Sequence, residues 1–173
     1  VGDATLESFR DGWRHVRFML LNAPGYLFTV PGIVMGLLGL VVMFAAVGGA
    51  SIAGATLGIH SSIVGSLLTL VGYQVATMGS FATVASNPIQ QPDDLLTQLF
   101  VEHLTLERMA TLGFVLFAAG AGYGVWLLTQ WAATGFTQLP MVTGDVLGFT
   151  AIVLGLQTIF TAFLLSAVGE RGC

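Results

Sequence analysis

Lysine is absent from this sequence, and charge of either sign is scarce. Only 8% of the 173 residues are charged and 55% are hydrophobic, whereas about a quarter of a soluble domain is charged. This deficit indicates a membrane protein of one domain. The net charge of −4 argues against nucleic acid as a partner. The missing lysine, together with the excess of carboxylates, is consistent with a halophilic source.

Cysteine is also nearly absent, since Cys173 is the only one. A disulfide framework and a cysteine-ligated metal cluster are therefore excluded. No phosphate-binding glycine loop, His-Glu-x-x-His pattern or nucleophile with a placed base occurs, so we predict no catalytic and no metal-binding residue in this segment. Because the chain begins at Val1 without methionine, we expect it to be part of a longer protein.

Four long apolar runs remain free of charge. A transmembrane helix needs about 20 mostly apolar residues, and each run reaches that length. The sequence thus predicts an all-α polytopic membrane protein whose four helices form two hairpins. The predicted spans are about 27–49, 62–85, 109–131 and 146–168, within a transmembrane domain over 26–173.

The five arginines predict the orientation of these spans. Three precede the first span, one lies between spans two and three, and one follows span four. The connections at about 50–61 and 132–145 contain none. By the positive-inside rule, both termini are predicted to be cytoplasmic in a multi-pass protein of the cell membrane. The small, apolar connection at 50–61 is predicted to lie along the opposite interface.

Two segments are predicted to form amphipathic helices at the cytoplasmic face. Within the juxtamembrane segment 1–25, an apolar stripe of Leu6, Phe9, Trp13, Val16 and Leu20 recurs at steps of three and four. The loop at 86–107 contains a shorter helical pattern after Pro92. Between the juxtamembrane helix and span one, Pro24 is expected to break the chain, and Thr29 with Pro31 to start the span.

Arg10, Arg14, Arg17 and Arg108 are the candidate phosphate ligands. A guanidinium group matches phosphate geometry, and all four lie on the predicted cytoplasmic side, where lipid headgroups are their neighbours. Arginines at this position also set topology without binding anything specific. The sequence leaves both roles open.

Two amides and a set of glycines lie inside the spans. Gln74 and Gln157 fall near the middle of spans two and four, where they could bond each other or line a polar track. Glycines recur at 65, 72 and 79 and at 148 and 155, and lie four apart at 32 and 36 and at 120 and 124. Such spacing favours close helix packing in lipid; a smooth groove for a lipid tail is the alternative.

Four stretches resemble, in order, the membrane part of prokaryotic family 2 glycosyltransferases similar to dolichyl-phosphate mannose or glucose synthases. The most specific is FRDGWRHVRFMLLNAP. The stretches are Phe9–Pro24, Phe28–Gly32, Leu104–Arg108 and Gly155–Ser166. The resemblance covers nearly the whole chain.

The resemblance implies a function carried out with another domain. Members of this family transfer sugar from a nucleotide donor to a polyprenyl phosphate, and their N-terminal catalytic domain holds the divalent metal. This chain would then be the C-terminal membrane domain that anchors the enzyme and presents the lipid phosphate. Its expected partners are membrane lipids, polyprenyl phosphate and that N-terminal domain, and a homo-oligomer is compatible with the pattern.

Two other functions stay open at this point. A non-enzymatic small subunit or scaffold of a larger membrane complex fits the same four spans. A transporter or channel fits poorly, because intramembrane charge is what ion or proton pathways use and the spans contain none.

Overall fold

Four long helices make up most of the structure, a computed structural model that describes residues 10, 12–14, 24–52, 54–86, 106–137 and 143–169. Each helix contains a stretch long and apolar enough to cross a membrane, which confirms the predicted all-α polytopic architecture. Two short strands join the first helix to the second. The elements are α1 (Pro24–Val47), β1 (Ser51–Ile52), β2 (Ala55–Thr56), α2 (Ile59–Ser86), α3 (Leu106–Ala133) and α4 (Thr143–Gly169).

The start of α1 differs from the prediction. The helix begins at Pro24, and Pro31 lies inside it rather than at its start. Proline suits the first turn of a helix, whose N–H groups have no intrahelical partner. Pro31 removes one further donor, the one that would have bonded the Leu27 carbonyl. Helices in membranes tolerate such an interruption where neighbouring groups compensate.

The connection between α1 and α2 contains a short β-hairpin that was not predicted from the sequence. Residues 51–56 form an antiparallel β-hairpin in which Ser51 pairs with Thr56 and Ile52 with Ala55. Gly54 takes a φ of +83°, a conformation that glycine adopts without steric cost. Strand pairing satisfies backbone groups that would otherwise compete for few partners near lipid.

Glycines bring the two helices of each hairpin into backbone contact. A Cβ built on Gly72 would lie 2.6 Å from the Gly32 carbonyl oxygen, and one on Gly65 would lie 2.7 Å from that of Gly39. No side chain fits at such distances. The predicted role of the glycine repeat at 65, 72 and 79 in close packing is therefore confirmed for the first hairpin.

The second hairpin uses the same device. A Cβ on Gly120 would lie 2.7 Å from the Gly148 carbonyl oxygen, and one on Gly155 equally close to that of Gly113. Gly124, expected to share the face of Gly120, has nothing within 4 Å of a built Cβ. The glycines of α3 that contact α4 are therefore seven residues apart, at Gly113 and Gly120, and not four residues apart as predicted from Gly120 and Gly124.

The helices pack in the order α1, α2, α4, α3, with α1 making only slight contact with α4. Among the described helices, α3 packs extensively against α4 alone. Apart from Met43, the residues buried between the described helices are small, and several carry hydroxyl groups, whereas many large apolar side chains point outward, as is common in membrane helices. Buried examples are Ala46, Ala162, Ser62, Ser66, Thr69, Thr150 and Thr158, and exposed ones are Phe44, Phe114, Phe160 and Phe163.

Hydroxyl groups join the two hairpins along the contact between α2 and α4. The Ser66 and Thr150 hydroxyls are 2.6 Å apart in a buried hydrogen bond. Ser62, which is fully buried, donates to the Thr143 carbonyl at 3.3 Å. In an apolar setting these bonds hold the helices together where the hydrophobic effect cannot. The sequence signal was the spacing of Ser62, Ser66 and Thr69 along one face of α2.

Candidate functional site

The two ends of the helix bundle differ in charge. We call the end with the 48–58 and 134–142 connections the hairpin end, and the end with residues 24, 86, 106 and 169 the terminal end. Three of the predicted phosphate ligands are described: Arg10 and Arg14 precede α1 in the chain, and Arg108 lies at the terminal end. Arg10 and Arg14 are helical and exposed, and Arg108 is exposed in the first turn of α3. Arg17 lies outside the described residues.

The start of α3 presents two opposite charges side by side. Glu107 and Arg108 are both exposed, and the carboxylate of Glu107 complements the positive end of the helix dipole. The Thr111 hydroxyl donates to the Glu107 carbonyl at 2.6 Å. Arg108 thus lies on a regular helical turn at the end of a membrane-spanning helix.

The juxtamembrane helix is described at only four residues. Arg10 and the stretch 12–14 are helical, and Trp13 is 61% exposed. Its other predicted residues lie outside the described part of the chain, as does the short helix predicted after Pro92. The amphipathic character of both segments remains a prediction.

The structure brings the two predicted intramembrane amides to one groove between α2 and α4. Gln74 and Gln157 line this groove of about 340 Å³, together with Tyr73, Phe81 and Phe160. Gln74 is exposed, and the Oε1 atom of Gln157 is buried without a hydrogen-bond partner among the described residues. The Tyr73 hydroxyl is buried and unpartnered in the same sense.

At the hairpin end, a polar pair escaped the sequence reasoning. The Tyr123 hydroxyl donates to a carboxylate oxygen of Asp145 at 2.8 Å, linking α3 to the first turn of α4. The Tyr123 ring also packs against Trp126, with ring centroids 5.6 Å apart. Tyr123 and Asp145 are 22 residues apart in the sequence, so no local sequence pattern predicts their hydrogen bond. An acid in the first turn of a helix is stabilised by the helix dipole. Helix stabilisation and the hydrogen bond to Tyr123 therefore explain Asp145 without a catalytic role.

The described residues include no group of three or more His, Cys, Asp or Glu side chains placed to hold a metal ion. The chemistry that these ranges offer is therefore guanidinium groups at one end and amides and hydroxyls within the bundle. Guanidinium groups are the type of side chain that pairs with phosphate oxygens.

These features define a four-helix membrane domain, and the comparisons agree. Residues 81–169 match the Glycosyltransferase family 2 C-terminal transmembrane region. The chain belongs to that family. This match confirms the resemblance stated from the sequence and makes the chain a glycosyltransferase membrane domain.

A curated relative extends the match over almost the whole chain. The chain is 47% identical over 169 residues to the low-salt glycan biosynthesis hexosyltransferase Agl6 of Haloferax volcanii. The alignment covers 98% of this chain and 41% of the relative, so the chain spans about two fifths of that protein's length. No solved structure matches.

Proposed function

We propose that this chain is the anchoring and acceptor-presenting membrane domain of a polyprenyl-phosphate glycosyltransferase. In this proposal, a catalytic domain elsewhere in the longer polypeptide transfers a sugar from a nucleotide donor. The membrane domain holds the dolichyl or polyprenyl phosphate so that its phosphate oxygen faces that catalytic domain. A divalent metal would act there and not in this segment.

The grouping of arginines at the terminal end carries the proposal. Arg10, Arg14 and Arg17 precede α1 in the sequence, and Arg108 lies in the first turn of α3, which supports a position of all four at one membrane face. A phosphate monoester carries up to two negative charges and accepts bidentate hydrogen bonds from guanidinium groups. The family match and the hexosyltransferase name of the relative favour this ligand over a headgroup of no particular chemistry.

The proposal requires the terminal end to be cytoplasmic, where nucleotide sugars are available. The positive-inside rule supports this orientation, since arginine is absent from the connections at the hairpin end. In intact cells, a membrane-impermeant maleimide should label Ala55→Cys, which is exposed in β2. Cys173 should be labelled only after permeabilisation, in a full-length protein whose other cysteines are replaced. Labelling of Cys173 in intact cells would contradict this orientation and show that the C-terminus lies outside the cytoplasm.

Thermal stability tests the lipid ligand directly. Polyprenyl phosphate should raise the melting temperature of the purified full-length protein, because a ligand bound only to the folded state stabilises it. The double variant Arg14→Ala/Arg17→Ala should lose this shift, since two charge-assisted contacts to phosphate are removed. Melting is monitored by measuring how much monodisperse protein remains after heating.

Two controls make this result specific. Polyprenol without the phosphate should not raise the melting temperature if the arginines bind the phosphate group. Arg171→Ala removes an arginine from the same end of the bundle, outside the predicted ligand set, and should keep the shift. A non-enzymatic subunit predicts no stabilisation by polyprenyl phosphate in any variant, and that outcome would reject the proposal.

A further inference from the structure

The groove between α2 and α4 is lined by polar groups within two membrane-spanning helices. Gln74 is exposed at its rim, and Thr77 and Thr161 also line it. Two of its polar atoms, Gln157 Oε1 and the Tyr73 hydroxyl, have no hydrogen-bond partner among the described residues. An unpaired polar group in lipid is costly, because no water is present to replace the missing bond.

The two glutamines lie at the same depth. The Ser66–Thr150 hydrogen bond sets the register of α2 against α4, and both helices run from the hairpin end to the terminal end. Gln74 follows Ser66 by eight residues and Gln157 follows Thr150 by seven. At a rise of about 1.5 Å per residue, the two amides are level to within roughly 1.5 Å.

We infer that this groove is the contact between two copies of the chain, with Gln74 of each copy bonded to Gln157 of the other. All copies enter the membrane in one orientation, so a two-fold axis along the membrane normal brings side chains of equal depth together. The Gln74 amide of one copy supplies the N–H donor that Gln157 Oε1 of the other lacks. Amide pairs of this kind promote helix association in lipid.

A second copy fits the groove better than a lipid tail does. A hydrocarbon chain fills volume beside Phe81 and Phe160 but offers no hydrogen bond to Gln157 Oε1 or to the Tyr73 hydroxyl. A second copy has the same sequence and orientation, so its amides lie at the required depth. An unrelated helix would have amides at that depth only by coincidence. Because Oε1 of Gln157 is covered in the single chain, docking requires a rotamer change of that side chain. The contact is independent of any role of the arginines at the terminal end.

Disulfide trapping between two differently tagged copies tests the contact. One copy carries Gln74→Cys and the other Gln157→Cys, in full-length protein with Cys173→Ser and any other cysteine replaced. Both are coexpressed and oxidised in native membranes. A disulfide forms only when the two Cα atoms come within about 7 Å, and a product carrying both tags reports contact between chains. We expect this product as the main oxidised species, reversed by dithiothreitol.

The matched control moves one cysteine to another surface at a similar depth. Val34 lies beside the Gly32–Gly36 stretch that packs on Gly72, and its side chain is 51% exposed on α1. Val34→Cys coexpressed with Gln157→Cys should give severalfold less doubly tagged product. Equal yields for the two pairs, or no product from Gln74→Cys with Gln157→Cys, would overturn the inference. The latter result would assign the groove to a lipid tail, another protein or an amide pair within one chain.

Discussion

Replacing Gly72 by alanine should destabilise the protein by about 1–3 kcal/mol, the usual cost of forcing an extra group into a packed interior. The new Cβ would meet the backbone nitrogen of Gly36 and lie 2.6 Å from the Gly32 carbonyl oxygen. Backbone atoms cannot rotate away as a side chain does, so α1 and α2 must move apart. The measurement is the free energy of unfolding in mixed detergent micelles, from a titration with denaturing detergent.

Gly122→Ala is the matched control for this effect. Gly122 also lies inside a transmembrane helix, but nothing is within 4 Å of a Cβ built there. Alanine is the better helix former by up to about 1 kcal/mol, so this variant should be neutral or slightly more stable. Equal losses in Gly72→Ala and Gly122→Ala would show that close backbone contact is not what holds the first hairpin.

Neutralising Arg108 should weaken use of the lipid acceptor by the full-length enzyme. If Arg108 binds the acceptor phosphate, Arg108→Gln removes a charged hydrogen bond worth about 1.5–3 kcal/mol. That loss corresponds to a rise of tenfold or more in the KM for polyprenyl phosphate. The KM for the nucleotide sugar should stay unchanged, because the donor is expected to bind in the catalytic domain. Initial rates of glycolipid formation at varied acceptor concentration provide the measurement.

The neighbouring residue provides the control. Glu107 is exposed in the same helical turn, and Glu107→Gln removes a charge of opposite sign without changing the size of the side chain. This substitution should leave the acceptor KM unchanged or lower it, because a negative charge near the phosphate is removed. If Arg108→Gln leaves the acceptor KM as it was, Arg108 serves topology alone and the phosphate site lies elsewhere.

The four spans could be predicted because they depend on local properties of the chain. In lipid each backbone group must be bonded within its own segment, so a long uncharged run must be a helix. The observed helices begin about three residues before the predicted spans. Their extra turns reach polar residues such as Glu107 and Thr143, which a search for apolar runs excludes.

The start of α1 shows where local rules failed. A proline often marks a helix boundary, and the sequence led us to expect Pro24 to break the chain and Thr29 with Pro31 to start the span. In the structure, the helix continues past Pro31 for another 16 residues to Val47. One missing hydrogen bond costs less than ending a helix within the apolar part of the chain would cost.

The groove between α2 and α4 shows which part of the candidate site could not be predicted from the sequence. That Gln74 and Gln157 lie near mid-span follows from counting residues, but whether they share a surface depends on how α2 and α4 are rotated. The Ser66–Thr150 bond and the glycine contacts set those rotations. The link from Tyr123 to Asp145 likewise depends on how α3 meets α4.

The scarcity of charge left four long uncharged apolar runs, and these determined, from the sequence alone, that the chain has four membrane-spanning helices. The arginines fall between these runs and not within them, because burying charge in lipid is costly. Only the tertiary structure decided which glycines make contact, which hydroxyls join the hairpins and which amides face a common groove. Each of these depends on helix rotation and register, which are set by contacts between residues far apart in the chain.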